Sequence, residues 1–280
     1  MRLFSLLTSS LLFTSTFCKP SPQPASTDFT SLEGRAPQRS KTKAKYTDYK
    51  YFEEQGGDEV LSHYDHRYFK EIISDQERVE SLHHLIRAYL TTFRERNIET
   101  WIAHGTLLGW WWNGKIMPWD RDLDTQVSAT TLTWLGDNLN MTLHNYTSVD
   151  ADGGEITREY LIDVNPFIKE RTRGDGKNVI DARFIDTTNG LYADITGLAE
   201  VNPSNHPGVW SCKNFHRYRT RDLYPLRETE FEGVPALVPY SFDNVLTEEY
   251  SARALTKTYH EGYFSLFLPP SALKRHWIVD

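Results

Sequence analysis

The chain has 280 residues, 39% hydrophobic and 25% charged, which allows one large domain or two small ones around a sizeable core. Its net charge of −7 excludes a surface built to coat nucleic acid, because that partner calls for a basic face. An anionic ligand has to be met locally, by a metal ion or by a few Arg and Lys side chains.

The opening stretch, MRLFSLLTSSLLFTSTFCKP, joins Arg2 to an apolar run from Leu3 to Phe17, with small residues before Cys18. This pattern predicts a signal peptide over 1–18, too short to be a comfortable membrane span. Cleavage there would leave Cys212 as the sole cysteine and exclude an internal disulfide. Residues 19–45 are rich in Pro, Ser, Thr and Lys and read as a disordered linker, so the folded domain is expected over 46–280. No later segment approaches 18 apolar residues, so no stable membrane span is expected.

Ser74-Asp75-Gln76-Glu77 reads as a capping box, and behind it Val79, Leu82, Ile86, Tyr89, Leu90 and Phe93 recur at three- and four-residue steps. A helix is expected there. Thr100 to His104 then reads as a short strand, Gly105-Thr106 as a turn, and Leu107 to Trp112 as a brief helix ended by Asn113-Gly114. Two sequons, Asn140-Met141-Thr142 and Asn145-Tyr146-Thr147, suggest a surface loop and agree with the leader on the secretory pathway, Golgi lumen or secretion. In ARFIDTTNGLYADITGL two alternating apolar runs flank Asn189-Gly190, which predicts a hairpin with Asp194 in its second strand. Strands are expected at His216 to Arg219 and Val234 to Val238, and a helix from Phe242 to Tyr250.

The segment PWDRDLDTQV places Asp120, Asp122 and Asp124 at alternate positions. On a strand such side chains share a face at intervals of about 6.6–7 Å, so they repel unless a cation sits between them. A calcium loop counted from Asp120 needs Gly and Glu where the chain has Thr125 and Thr131, which excludes it. A solvated turn is disfavoured by Pro118-Trp119, Val127 and the aromatic stretch upstream. Paired carboxylates and a third some seventy residues later suit two-metal phosphoryl transfer, with Gly105-Thr106 letting backbone amides and a hydroxyl approach phosphate.

Other residues have two readings. Lys115 could reach a donor phosphate or be an exposed turn lysine, and Arg183 could clamp phosphate or pair with Asp181 or Asp186. His104 could act as a base or be a hydrogen-bonded core residue. Asp186 is a fourth acidic ligand or the start of a turn. Consecutive Trp110, Trp111 and Trp112 point about 100° apart on a helix, so at most one or two could stack on a sugar. His206, Cys212 and His216 are too few and too loosely spaced for a closed zinc site.

Three stretches, HGTLLGWWWNGKIMPWDRDLD, ARFIDTTNGLYADITGL and FEGVPALVP, together resemble the LicD/fukutin family, in particular its fungal branch associated with mannosylphosphate transfer. The resemblance runs over residues 51–260. It implies an α/β (α+β) nucleotidyltransferase fold of the polymerase-β type, a mixed sheet with flanking helices. It also implies Mg or Mn, a nucleotide-activated donor such as GDP-mannose, and a glycan acceptor. Carried over by motif, Asp122 and Asp124 are the metal pair, Asp120 the outer member and Asp194 the later strand carboxylate. Gly105 and Thr106 fall at the family's Gly-Ser position, with Lys115 and Arg183 as further donor-side candidates. The implied reaction moves mannose 1-phosphate from GDP-mannose to a glycan hydroxyl and releases GMP. Three alternatives stay open: a non-catalytic regulator or glycan-binding relative; a metal-dependent D-x-D glycosyltransferase, whose nucleotide-binding strand–helix units usually precede the motif; and a secreted structural protein, which would not need the triplet.

Overall fold

Ser74 Oγ accepts the backbone N–H of Glu77 at 3.2 Å, and this cap opens the longest helix of the computed structural model, α1 (Asp75–Glu95). The structure describes residues 49–149 and 153–256, together with the backbone of 259–260 and 263–264. The expected signal peptide and linker lie outside the described residues.

Along α1 the apolar periodicity buries Leu82, Leu85, Ile86, Tyr89, Leu90 and Phe93. Val79, expected on the same face, is 48% exposed. At that end of the helix the buried positions go to Arg78 and Ser81. Arg78 Nη1 donates to the backbone oxygen of Asp120 at 2.8 Å, and Ser81 Oγ accepts from Arg158 and Asn189. Polar anchoring replaces apolar packing in the first turns.

After α1 come β1 (Trp101–Ile102), α2 (His104–Asn113), β2 (Asp124–Ser128), α3 (Ala129–Asn138), β3 (Thr142–Val149) and β4 (Glu155–Val164). The chain continues through β5 (Ala182–Asp186), β6 (Tyr192–Glu200), β7 (Val209–Ser211) and β8 (Arg217–Arg219). These eight strands form one mixed sheet, ordered β1-β2-β6-β5-β4-β3, with β7 on β6 and β8 on β7. All its pairings are antiparallel except β2 with β6. The central strands read as nearly continuous buried runs because both faces are covered, α1 packing on β5 and β6 through contacts such as Tyr89 against Phe184. A short helix α4 (Thr220–Leu223), a hairpin of β9 (Arg227–Phe231) and β10 (Val234–Val238), and α5 (Phe242–Tyr250) follow, then a backbone pair β11 (Tyr259–His260) and β12 (Tyr263–Phe264). The fold class is the expected one, a mixed sheet with flanking helices.

The β5–β6 hairpin forms around Asn189-Gly190, with Gly190 at φ +87°. A Cβ there would lie 3.0 Å from the backbone oxygen of Asp65, so this position requires glycine for both conformation and space. Four expectations change. The strand before α2 is only two residues, and His104 starts the helix instead of ending the strand. Gly105 and Thr106 are the first turn of α2 because the Leu107 N–H already bonds to Ala103 O. Of the aspartate triplet only Asp124 lies on β2; Pro118 has no N–H for a ladder, and Asp120 N–H turns back to Met117 O. Asn145 is exposed on edge strand β3 and not in a loop, while Asn140 precedes that strand and accepts the Val164 N–H. Among the described residues no helix is long and apolar enough to cross a membrane.

Candidate active site between two cavities

The parallel register of β2 and β6 sets Asp124 opposite Asp194, and neighbouring strands lie about 4.8 Å apart, so paired side chains share a face. Thr106 Oγ1 accepts the Asp124 backbone N–H at 2.9 Å, so the α2 hydroxyl fixes the entry of the strand. Burial pushes the Asp124 carboxyl up to about 8; Asp122, Asp194 and Glu249 push the same way and His104 opposes them. Asp122, Asp124 and Asp194 are therefore brought together across the seventy-residue separation.

Asp120 joins them from the loop. Burial, then its hydrogen bond with Asp122 and the charges of Asp122 and Asp124, push it up to about 8. Its Oδ2 is buried without a hydrogen-bond partner and would lie 2.9 Å from a Cβ on Gly105. Gly105 is thus the gap through which this carboxylate reaches the first turn of α2, where backbone N–H groups have no partner within the helix.

Arg183, on β5, does not pair with Asp181 or Asp186. Its Nε donates to Asp194 Oδ1 at 2.8 Å and its Nη2 to Glu54 Oε1 at 2.7 Å, with the guanidinium held between Tyr192 and Phe52. Nη1 is buried and unpartnered. Asp181 is taken by Arg171 and Lys213, and Asp186 by Arg158 and the Thr188 N–H, which gives Asp186 the turn role. Lys115 is exposed, and its backbone N–H bonds to Asn113. The three tryptophan indole N–H groups donate within the protein, to Thr229 Oγ1, Leu255 O and Ala254 O, with Trp110 buried and Trp111 and Trp112 half-buried.

Two cavities flank the cluster. One, of about 580 Å³, is bordered by His104, Asp124, Cys212, His216, Tyr218 and Glu249. The other, of about 420 Å³, is bordered by Lys50, Glu54, Asp122, Lys177, Arg183 and Asp194. Lys115 borders neither. Glu54 and Glu249 carry no signal in the sequence, since each is an ordinary glutamate far from the motifs.

Among the described residues no three His, Cys, Asp or Glu side chains form a ready cage for a metal ion. The donor set nonetheless fits Mg or Mn. Hard oxygen donors crowd together, burial and like charge push two of them up to about 8, and Asp120 Oδ2 lacks a partner. Such ions are commonly held by one or two carboxylates and completed by substrate phosphates and not by an all-protein cage. Asp120, Asp122, Asp124 and Asp194 are the residues that would hold them.

A mixed sheet with carboxylates on its parallel strand pair, beside a Gly-Thr helix start, defines a nucleotidyltransferase-like domain. The chain belongs to the LicD/FKTN/FKRP family, whose nucleotidyltransferase-domain model matches residues 97–241. Two curated relatives from Saccharomyces cerevisiae (strain ATCC 204508 / S288c) are similar to it. Mannosyltransferase regulator 4 is 37% identical over 143 residues, covering 50% of this chain and 12% of the relative. Mannosyltransferase regulator 14 is 36% identical over 141 residues, covering 49% of this chain and 14% of the relative. The matched stretch is thus a small part of either relative, and the kinship supports a role connected with glycosylation.

Proposed function

We propose that the chain is a metal-dependent phosphotransferase that moves mannose 1-phosphate from GDP-mannose onto a glycan hydroxyl, in the Golgi lumen or after secretion. The observation that carries this reading is the Asp124–Asp194 register pair, joined by Asp122 and Asp120, with Asp124 bordering one cavity and Asp122 and Asp194 the other. A bound Mg or Mn would neutralise phosphate charge and stabilise the oxygens that gain negative charge during transfer. The chain's own residues prepare that site. Thr106 fixes Asp124 through its backbone, and Arg183 and Glu54 hold the Asp194 carboxylate in one orientation. Arg183 Nη1 and the first-turn amides of α2 supply donors for phosphate oxygens.

A second reading, a non-catalytic regulator of mannosylphosphate transfer, is favoured by one observation: both relatives are named as regulators. Complementation separates the two. In cells lacking the native gene, the catalytic reading expects Asp124→Asn to be expressed yet to restore no cell-surface mannosylphosphate. Restoration at the wild-type level contradicts it. The compartment is checked by mass spectrometry of the native protein, with glycan expected on exposed Asn140 or Asn145; unmodified asparagines at both would contradict it.

A further inference from the structure

Two aromatic side chains border the larger cavity while remaining in water, Phe215 at 59% exposure and Tyr250 at 38%. Phe215 stands in the turn from β7 to β8, which closes through Cys212 N–H to His216 O and Phe215 N–H to Cys212 O, both at 3.3 Å. It holds φ +68° there, an outlier for a bulky residue. One position thus carries two costs, backbone strain and a phenyl ring left in water. Neither helps the fold, and outliers of this kind cluster at functional sites. The Arg173 guanidinium lies over the ring, 5.6 Å from its centroid, which backs one face and leaves the other open. Tyr250 is the last residue of α5, and the helix end is pinned beside it. Glu249 Oε1 accepts the Tyr218 hydroxyl at 2.7 Å, and Oε2 lies 3.0 Å from His104 Nδ1. His104 Nε2 meets the Gln126 amide at 3.4 Å, so this histidine is a hydrogen-bonded part of the wall. Polar groups complete the cavity. Thr196, on the same face of β6 as Asp194, is 5% exposed, and its Oγ1 has no hydrogen-bond partner among the described residues. Asn214, Arg217 and Glu248 border the cavity and are exposed.

We infer that the larger cavity is a glycan-binding subsite, with Phe215 and Tyr250 as the platforms on which sugar rings lie. That the glycan is the acceptor rests on the phosphotransfer reading; that a glycan binds here does not. A pyranose has an apolar C–H face beside a rim of hydroxyls, which matches open aromatic faces next to a few scattered polar groups. The base of the nucleotide donor also stacks on aromatic rings, and charge separates the two. The larger cavity sets Asp124, Glu248 and Glu249 against Arg217, and the smaller sets Lys50, Lys177 and Arg183 against Glu54, Asp122 and Asp194. A nucleoside diphosphate is better met on the smaller side, whereas an uncharged sugar is not repelled by the larger. Asp124 borders the larger cavity as well, so a sugar held there shares its space with one of the carboxylates proposed to hold the metal.

Direct binding tests the subsite in the full chain, by calorimetry with mannotetraose in the absence of donor and, separately, with GDP-mannose and Mn. Phe215→Asn removes the ring and puts a residue that tolerates positive φ in its place. It is expected to keep or raise the wild-type melting temperature, because strain is relieved, and to weaken mannotetraose binding about five-fold or more. Tyr250→Ala is expected to weaken it likewise, and Tyr250→Phe, which keeps the ring, to restore most of that loss. Neither ring removal is expected to change GDP-mannose affinity, and in the transfer assay both raise KM for the oligosaccharide and not for the donor. Wild-type mannotetraose affinity in folded Phe215→Asn and Tyr250→Ala, or a loss that falls on GDP-mannose instead, would overturn the subsite. So would a wild-type chain that binds no mannotetraose. A chain that binds it through these rings yet releases no nucleotide from any donor would confirm the subsite and overturn the phosphotransfer reading alone.

Discussion

At the scale of single residues, the site is under electrostatic load. Asp124 has its pKa raised from 3.8 to about 8, so in the metal-free protein folding favours its neutral form. The stability this contributes is full below pH 3.8 and is lost as pH rises toward about 8. Asp124→Asn keeps the shape without the charge. Its melting temperature should therefore fall less than that of the wild type between pH 5 and pH 8, both measured with chelator present; parallel curves would show that Asp124 is not strained by its neighbours. Gly105 offers a steric counterpart. Gly105→Ala places a methyl group 2.9 Å from Asp120 Oδ2, and it should cost about 1–3 kcal/mol by denaturant titration unless the carboxylate swings away. A neutral result would mean that Asp120 is free to move. The sequence made the triplet and the Gly-Thr pair legible because their spacing is local. It could not show that Thr106 spends its hydroxyl on the Asp124 backbone, or that Arg183 faces Asp194, since both partners are set by the sheet.

At the scale of elements, α1, the β5–β6 hairpin, β10 and α5 were readable from caps, turn residues and periodicity. Three of the four failures have a common cause. The segment from Thr100 to Leu123 alternates between strand and helix propensity, and tertiary contacts decide it: β2 registers against β6, and α2 starts as soon as Ala103 can accept a hydrogen bond. Two histidines join α1 to edge strand β3. His84 Nδ1 meets Ser148 Oγ at 2.7 Å, and Arg96, just past the helix end, donates to His144 Nδ1 at 3.1 Å. Burial lowers both imidazoles from the usual 6.5, with nearby Arg158 and Arg96 adding to the effect. A depressed pKa means that the stability is present above pH 6.5 and is lost as pH falls through the lower folded value. Amide exchange in β3 should accelerate below pH 6.5, beyond the intrinsic pH effect, and His84→Gln should blunt that acceleration. Exchange that follows the intrinsic rate alone would contradict this.

At the scale of the whole molecule, the candidate site is assembled from segments that no local motif joins: Glu54 before α1, His104 and Asp120 to Asp124 around α2, Arg183 and Asp194 on the hairpin, and Glu249 on α5. Folding is what brings both cavities to the border of one acidic cluster. The family kinship supports a role connected with glycosylation but leaves the chain's own chemistry to be measured. The most direct measurement is release of nucleoside monophosphate by the purified chain from a panel of nucleotide sugars and nucleotide alcohols with Mn, wild type beside Asp124→Asn. The account predicts Mn-dependent release of GMP from GDP-mannose by the wild type and a fall of about 100-fold or more in the variant. Equal release by the two proteins, or none by the wild type with any donor, would contradict it.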